Sequence, residues 1–108
     1  MIDTQVREAV IAAQLAAATA TREFIEKNGE RDACGFAWTT VYEKGSTKIG
    51  RALLKNGFSK AYGGGLQLWN PSGHFTQAIT AKEVGAEAAA RVLREKLGVE
   101  VYAGSRMD

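Results

Sequence analysis

Apolar residues recur through the first part of the chain at alternating spacings of four and three. Val6, Val10, Ala13, Ala17, Ala20 and Phe24 fall on one helical stripe, which predicts a helix from Asp3 to about Asn28. Gly29 follows directly and suits the left-handed position that ends a helix. Alanines at 9, 12, 16 and 18 flank the stripe, so the helix is built to lie tight on a sheet or on a second subunit. The period then changes to two. Over the strand expected from Ala33 to Tyr42, Phe36, Trp38 and Tyr42 point one way, while Gly35, Ala37 and Thr39 point the other. The small face suits the alanine-rich helix, and the aromatic face is left for something else.

Further along, Ser46 to Asn56 reads as a short helix with Ser46 as N-cap, Ile49 and Leu53 on one face, and Gly57 as stop. Gly63, Gly64 and Gly65 make a turn before a strand from Leu66 to Asn70. Pro71, Ser72 and Gly73 end that strand, and a polar loop continues through His74, Phe75, Thr76 and Gln77. A capping box, Thr80-Ala81-Lys82-Glu83, opens a last helix that carries Val84, Ala88, Ala89, Val92, Leu93 and Leu97 and ends at Gly98. A closing strand from Val99 to Arg106 sets Val99, Val101 and Ala103 against Glu100, Tyr102 and Arg106. The expected order is α-β-α-β-α-β, with an extra short strand near Ser59 to Tyr62. This is an α+β pattern, best packed as a small, mostly antiparallel sheet with helices on one face. Residues 1–108 read as a single domain: an N-terminal helix over 1–29 and an α+β core over 33–108.

Composition narrows the function classes. The 45% hydrophobic and 24% charged content is that of a globular protein, and no apolar run approaches the ~20 residues of a membrane span. No basic n-region precedes an apolar stretch, and the lone Cys34 cannot form an internal disulfide, so a cytoplasmic setting is expected. Fourteen Lys and Arg against twelve Asp and Glu leave a net charge of +2, too little to grip a long phosphate backbone. A few arginines at one site still suffice for a ligand with one or two phosphates.

Chemistry is sparse in the pattern. No phosphate loop of the Walker or dinucleotide type is present, and one Cys with one His gives no zinc spacing, so no cofactor or metal is expected. The best enzymatic arrangement is Cys34 as nucleophile, His74 as base and Asn70 as its orienter. A cysteine early in an apolar strand is more often a small buried hydrophobe, and His74 reads as a surface loop residue. Glu83 and Glu87 share a helix face, and Glu87–Arg91 and Arg91–Glu95 read as i,i+4 ion pairs on a solvated surface. The set that points to a ligand combines rings, guanidinium and amide. Gln67 shares a strand face with Trp69, and Tyr102 with Arg106. If these match the face of Phe36, Trp38 and Tyr42, the sheet presents rings that stack a base beside an arginine that forks onto phosphate. Arg94, three residues after Arg91, adds a second cation. The competing role for these rings is packing, as a second core or a subunit interface. Either role favours oligomerisation, because the second sheet face needs a cover.

Several segments resemble a family of small phage proteins. They are Ala33-Cys34-Gly35-Phe36-Ala37-Trp38, Ser46-Thr47-Lys48 leading into Gly57, Tyr62-Gly63-Gly64-Gly65-Leu66, Val92-Leu93 and the terminal Tyr102-Ala103-Gly104-Ser105-Arg106-Met107-Asp108. The resemblance runs from about Ala33 to the C-terminus, and its family is identified as that of the Thoeris anti-defence sponges. It implies an oligomeric phage protein, a dimer or dimers building a hexamer, in the cytoplasm of the infected host. Such a protein sequesters cyclic ADP-ribose-type immune signals, and cyclic oligonucleotides at separate sites, without cleaving them. It also implies a pocket between subunits. Arg106 and Arg94, with Arg91 as competitor for the helix position, would hold the ligand there, with Trp69 or Phe75 as stacking ring and Asn70 or Gln77 as amide. The stretch Trp69 to Gly73 departs from the family pattern.

A non-catalytic sponge is therefore the leading expectation. A single-strand nucleic-acid binder also presents rings and arginines on a sheet, though usually with more basic charge. An inhibitor acting through a protein interface would use the aromatic face as its contact. The Cys34/His74 enzyme comes last.

Overall fold

The computed structural model describes residues 2–108. Its elements are helix α1 (Ile2–Asn28), strand β1 (Gly35–Val41), helix α2 (Lys48–Lys55), strands β2 (Ser59–Lys60) and β3 (Leu66–Trp69), helix α3 (Ile79–Leu97) and strand β4 (Val101–Met107). The order is α-β-α-β-β-α-β, so the short strand expected near Ser59 is a real sheet member. The sheet is antiparallel throughout, with strands in the order β2-β3-β1-β4.

Strand parity divides the sheet into two unlike faces. One carries Ala37, Thr39 and Val41 of β1, Leu66 and Leu68 of β3, and Val101 of β4, all buried. Helix α3 lies on this face through Ile79, Ala86, Ala90 and Leu93. The N-terminal helix was expected to take that place. Instead α1 packs along the back of α3 and across α2, burying Val6, Ala9, Val10, Ala13, Ala17 and Thr21. Its buried stripe runs through Thr21 rather than Ala20. The reason is side-chain size. Gly85 of α3 sits so close to α1 that a methyl group there would meet the Thr21 hydroxyl and the Ala17 carbonyl. The small residues of α1 and α3 thus let the two helices meet closely at Gly85. At 27 residues α1 is about 40 Å long by its rise, and it sets the 41 Å long axis of the molecule.

Buried threonines tie α3 on both sides. The Thr39 hydroxyl donates to the Ala86 carbonyl at 2.9 Å from the sheet, and the Thr21 hydroxyl donates to the Ala81 carbonyl at 2.8 Å from α1. The helix starts differ from expectation. Thr47, not Ser46, caps α2, its hydroxyl accepting the Gly50 N–H. The Thr80–Glu83 capping box does not form, because α3 begins two residues earlier than it requires, with Ala78 at the cap position and no side-chain cap bond. Asp32 supplies the acceptors instead, taking the Thr80 N–H at 2.9 Å and the Ala33 N–H at 2.8 Å. The Thr80 hydroxyl and these two N–H groups hold its carboxyl below the ordinary aspartate range. Glu83, freed from a capping role, accepts the Ser105 hydroxyl of β4. The expected Glu87–Arg91 and Arg91–Glu95 pairs do not close; the ion pairs among the described residues are Arg22–Glu26 and Lys55–Asp3. Among the described residues no helix is long and apolar enough to cross a membrane.

Candidate functional site

The face of the sheet away from α3 is aromatic. Trp38 stands directly opposite Trp69 on one side and Gly104 on the other, Thr40 stands between Gln67 and Tyr102, and Phe36 faces Arg106. Residues directly opposite share a face, so the condition set by strand parity is met: Phe36, Trp38, Tyr42, Gln67, Trp69, Tyr102 and Arg106 lie on one surface. Among the described residues no helix lies on it. Trp69 is 44% exposed, Tyr42 51% and Tyr102 55%.

Two clusters form on this surface. Tyr42 and Tyr102 pair at one end, ring centres 5.9 Å apart. At the other end Trp69 meets Trp38 at 4.9 Å and Phe36 edge-on at 6.3 Å. Such pairs hold one another in orientation by about 0.5–1.5 kcal/mol each. Gly104 sets the Trp38 position. A Cβ built at Gly104 would fall 2.6 Å from the indole nitrogen, so the absence of a side chain lets the indole lie across β4. The Arg106 guanidinium stands 5.6 Å from the centre of the Phe36 ring, within cation–π range. Ring and cation are therefore together in one patch.

The remaining candidates are placed elsewhere. Arg94 lies in the last turn of α3 and donates from Nη1 to the Val101 carbonyl at 2.6 Å. Val101 and Arg106 are five strand residues apart, about 17 Å by strand rise, so within one chain Arg94 and Arg106 do not converge. Arg91 lines a groove of about 560 Å³ between α3 and β4, together with Glu83 and Glu87. Two carboxylates beside one guanidinium leave the groove negative, which disfavours an anion. Phe75 projects from the loop after β3, 95% exposed.

That loop is bonded to itself. Asn70, in the left-handed region at φ 44°, donates from Nδ2 to the His74 carbonyl and accepts the Ser72 hydroxyl at Oδ1. The His74 Nδ1 accepts the Thr76 N–H at 3.0 Å. Asn70 therefore does not orient the imidazole as a catalytic orienter would. Cys34 is exposed rather than buried in its strand, because β1 begins only at Gly35 and Cys34 makes an isolated bridge to Ala78. The Gln77 side chain is exposed, and its backbone carbonyl accepts the Gly35 N–H at 3.2 Å.

Two residues of the patch were not singled out from sequence. Gly104 carries no local signal, since its role depends on an indole of another strand. Lys82 carries one. It lies four residues before Ala86 and eight before Ala90, on the sheet-facing stripe of α3, where a cation is out of place. Its side chain is only 8% exposed, donates from Nζ to the Gly35 carbonyl at 2.9 Å, and ends 5.5 Å from the Phe36 ring centre. Among the described residues no group of three His, Cys, Asp or Glu is placed to hold a metal ion. No protein-family model matches the chain, and no curated protein or solved structure is found to match it.

Proposed function

We propose that this protein is a sponge that holds a cyclic nucleotide signal on its open sheet face and does not cleave it. The observation that carries the reading is the Trp38, Trp69 and Phe36 cluster with the Arg106 guanidinium beside it. A base stacks on a partly exposed indole, and a guanidinium forks onto phosphate oxygens. The resemblance to the Thoeris anti-defence family supplies the ligand class, cyclic ADP-ribose isomers and cyclic oligonucleotides, and the setting, the cytoplasm of an infected host. The loop polar groups on which catalysis would draw are engaged with one another, which favours retention over turnover.

Self-association belongs to the same reading. The Glu100 carbonyl accepts from Tyr42 and the Asp108 N–H donates to Cys34, the two residues flanking β1, so the alternate residues Ala103, Ser105 and Met107 direct their backbone groups away from the sheet. A two-fold related second copy matches such an edge strand with its own β4.

The test is to mix the protein with glycocyclic ADP-ribose, measure free ligand, then heat the complex and identify what is released. Depletion with intact recovery supports the sponge, and Trp69→Ala should weaken retention by roughly tenfold or more, the worth of one stacked base. A cleaved product, or no depletion, removes the reading for that ligand. The same row of rings favours a second reading, single-stranded nucleic-acid binding. There the affinity for an oligonucleotide would fall steeply with salt, and a flat response excludes it.

A further inference from the structure

A helix that is apolar on every side belongs in an interior. The middle of α1 comes close to that description at the surface of the molecule. From Ala9 to Thr21, thirteen residues, it carries no charged side chain. Val10, Ala13 and Ala17 bury one side of this stretch against the rest of the fold. The opposite side is open, with Ile11 49% exposed and Leu15 64%. At about 100° per residue, Glu8, Ile11, Leu15, Thr19 and Arg22 lie within about 40° of Leu15, and all five are exposed. Beside them a groove of about 360 Å³ between α1 and α3 takes apolar lining from Ala16, Ala20, Ala88 and Val92, so the apolar surface extends past the two large side chains.

The five positions are spaced three, four, four and three, the same in both directions, and the charges that end them have opposite sign. Glu8 stands seven residues before Leu15 and Arg22 seven after it. Arg22 is held loosely within the chain, 4.0 Å from Glu26 with both side chains mostly exposed, and Glu8 is in none of the described ion pairs.

We propose that the outer face of α1 pairs antiparallel with the same face of a second copy, about a two-fold axis beside Leu15. That axis sets Leu15 against Leu15, and it sets Ile11 against Thr19 and Glu8 against Arg22 twice each. The uncharged middle of one helix then covers that of the other, and an ion pair closes each end. A parallel pairing would set Glu8 against Glu8 and Arg22 against Arg22, which like charge disfavours. The surface lies behind α3, away from the open sheet face, so it goes beyond the ligand reading. Two large apolar side chains per copy are few for a stable dimer. The α1 seam therefore joins copies that the β4 edge has already paired, and in this respect it rests on the self-association reading.

Native mass spectrometry and sedimentation at low salt would compare wild type, Leu15→Glu, Arg22→Glu, and a double variant carrying Glu8→Arg with Arg22→Glu. Wild type should form an even-numbered assembly larger than a dimer. Each single variant should weaken the step beyond the dimer by roughly tenfold or more, and the double variant should regain it. Arg22→Glu disturbs Glu26 equally in the single and the double variant, so recovery reports only the contact between copies. Recovery also identifies the occupant, because a helix of another protein would not regain its fit when α1 exchanges its own charges. All variants should keep the far-UV spectrum and a cooperative melt, since the substituted side chains are exposed.

The proposal is overturned by a monomeric wild type, by either single variant matching the wild-type assembly, or by a double variant that stays dissociated. A wild-type dimer that Arg22→Glu splits and the double variant restores would keep the seam and remove the β4 edge as a contact. If the seam behaves as described but glycocyclic ADP-ribose is not depleted, the seam stands and the sponge falls.

Discussion

At the residue scale the protein works by leaving atoms out as much as by adding them. Gly104 is the clearest case, since the Trp38 indole occupies the space that any side chain on that face of β4 would need. Gly104→Ala places a methyl carbon 2.6 Å from the indole nitrogen, well inside contact distance. The indole sits on an open face and can tip outward, so the expected loss is at the low end for overpacking, about 1 kcal/mol. Ligand retention should fall by more than that loss of stability implies, because the tilted indole no longer meets Trp69 in the same way. Near-UV circular dichroism should change while the far-UV spectrum does not. Wild-type affinity with an altered tryptophan signal would show that the indole stack is not part of the site. Thr39 and Thr21 make the complementary point. Each is fully buried, yet each keeps its hydroxyl bonded to a carbonyl of α3, so polar groups sit inside a small core without being orphaned.

At the element scale α3 organises the molecule, and its start shows where sequence reasoning stops. The order of helices and strands is legible because the hydrophobic period switches between helix and strand values, and because glycines and Pro71 punctuate the chain. The shared face of Phe36, Trp38, Trp69 and Arg106 is legible as a condition, since parity orders side chains within each strand but not between strands. Register decides the rest. The capping box misleads for a related reason: Thr80 and Glu83 have the local spacing, but Asp32, held across the fold by the Cys34–Ala78 bridge, reaches the helix N-terminus first. Local pattern carries no information about an acceptor 48 residues away. This substitution has a pH consequence. The Asp32 carboxyl is held below its ordinary value, chiefly by the Thr80 hydroxyl and N–H, so the folded state binds its proton less readily than the unfolded chain. Its stabilisation is present above the unfolded carboxyl pKa and is lost as pH falls through the lower, folded value. Asp32→Ala should therefore melt at a lower temperature than wild type at neutral pH, and the two curves should converge in strong acid. A gap that persists unchanged into strong acid would mean that the carboxylate charge is not what stabilises the start of α3.

At the scale of the whole molecule the fold covers one side of a small sheet and leaves the other side and one edge unfilled. The open face holds the rings and the Arg106 guanidinium of the candidate site; the edge belongs to β4. Exposed edge strands are usually blunted by shortness, by proline or by charge. β2 follows that rule with two residues, but β4 runs for seven and directs charge outward mainly through Arg106, which turns to the open face instead. An unblunted edge next to the open face is what a protein needs if a second copy is to close the candidate site from the side. Ser105→Pro tests this. The Ser105 N–H faces away from β1 in the alternation set by Glu100 and Asp108, so proline removes no bond within the sheet, and edge strands tolerate it. Native mass spectrometry of wild type should show a dimer or a multiple of it, and Ser105→Pro should shift the distribution to monomer with the melting curve still cooperative. Ligand retention should drop with it if the partner's edge completes the site. A Ser105→Pro protein that keeps the wild-type assembly would place the contact elsewhere, and the aromatic face would then be the surface to examine for the second copy. In that event ligand and partner would compete for the same rings, and adding glycocyclic ADP-ribose should dissociate the assembly rather than leave it unchanged.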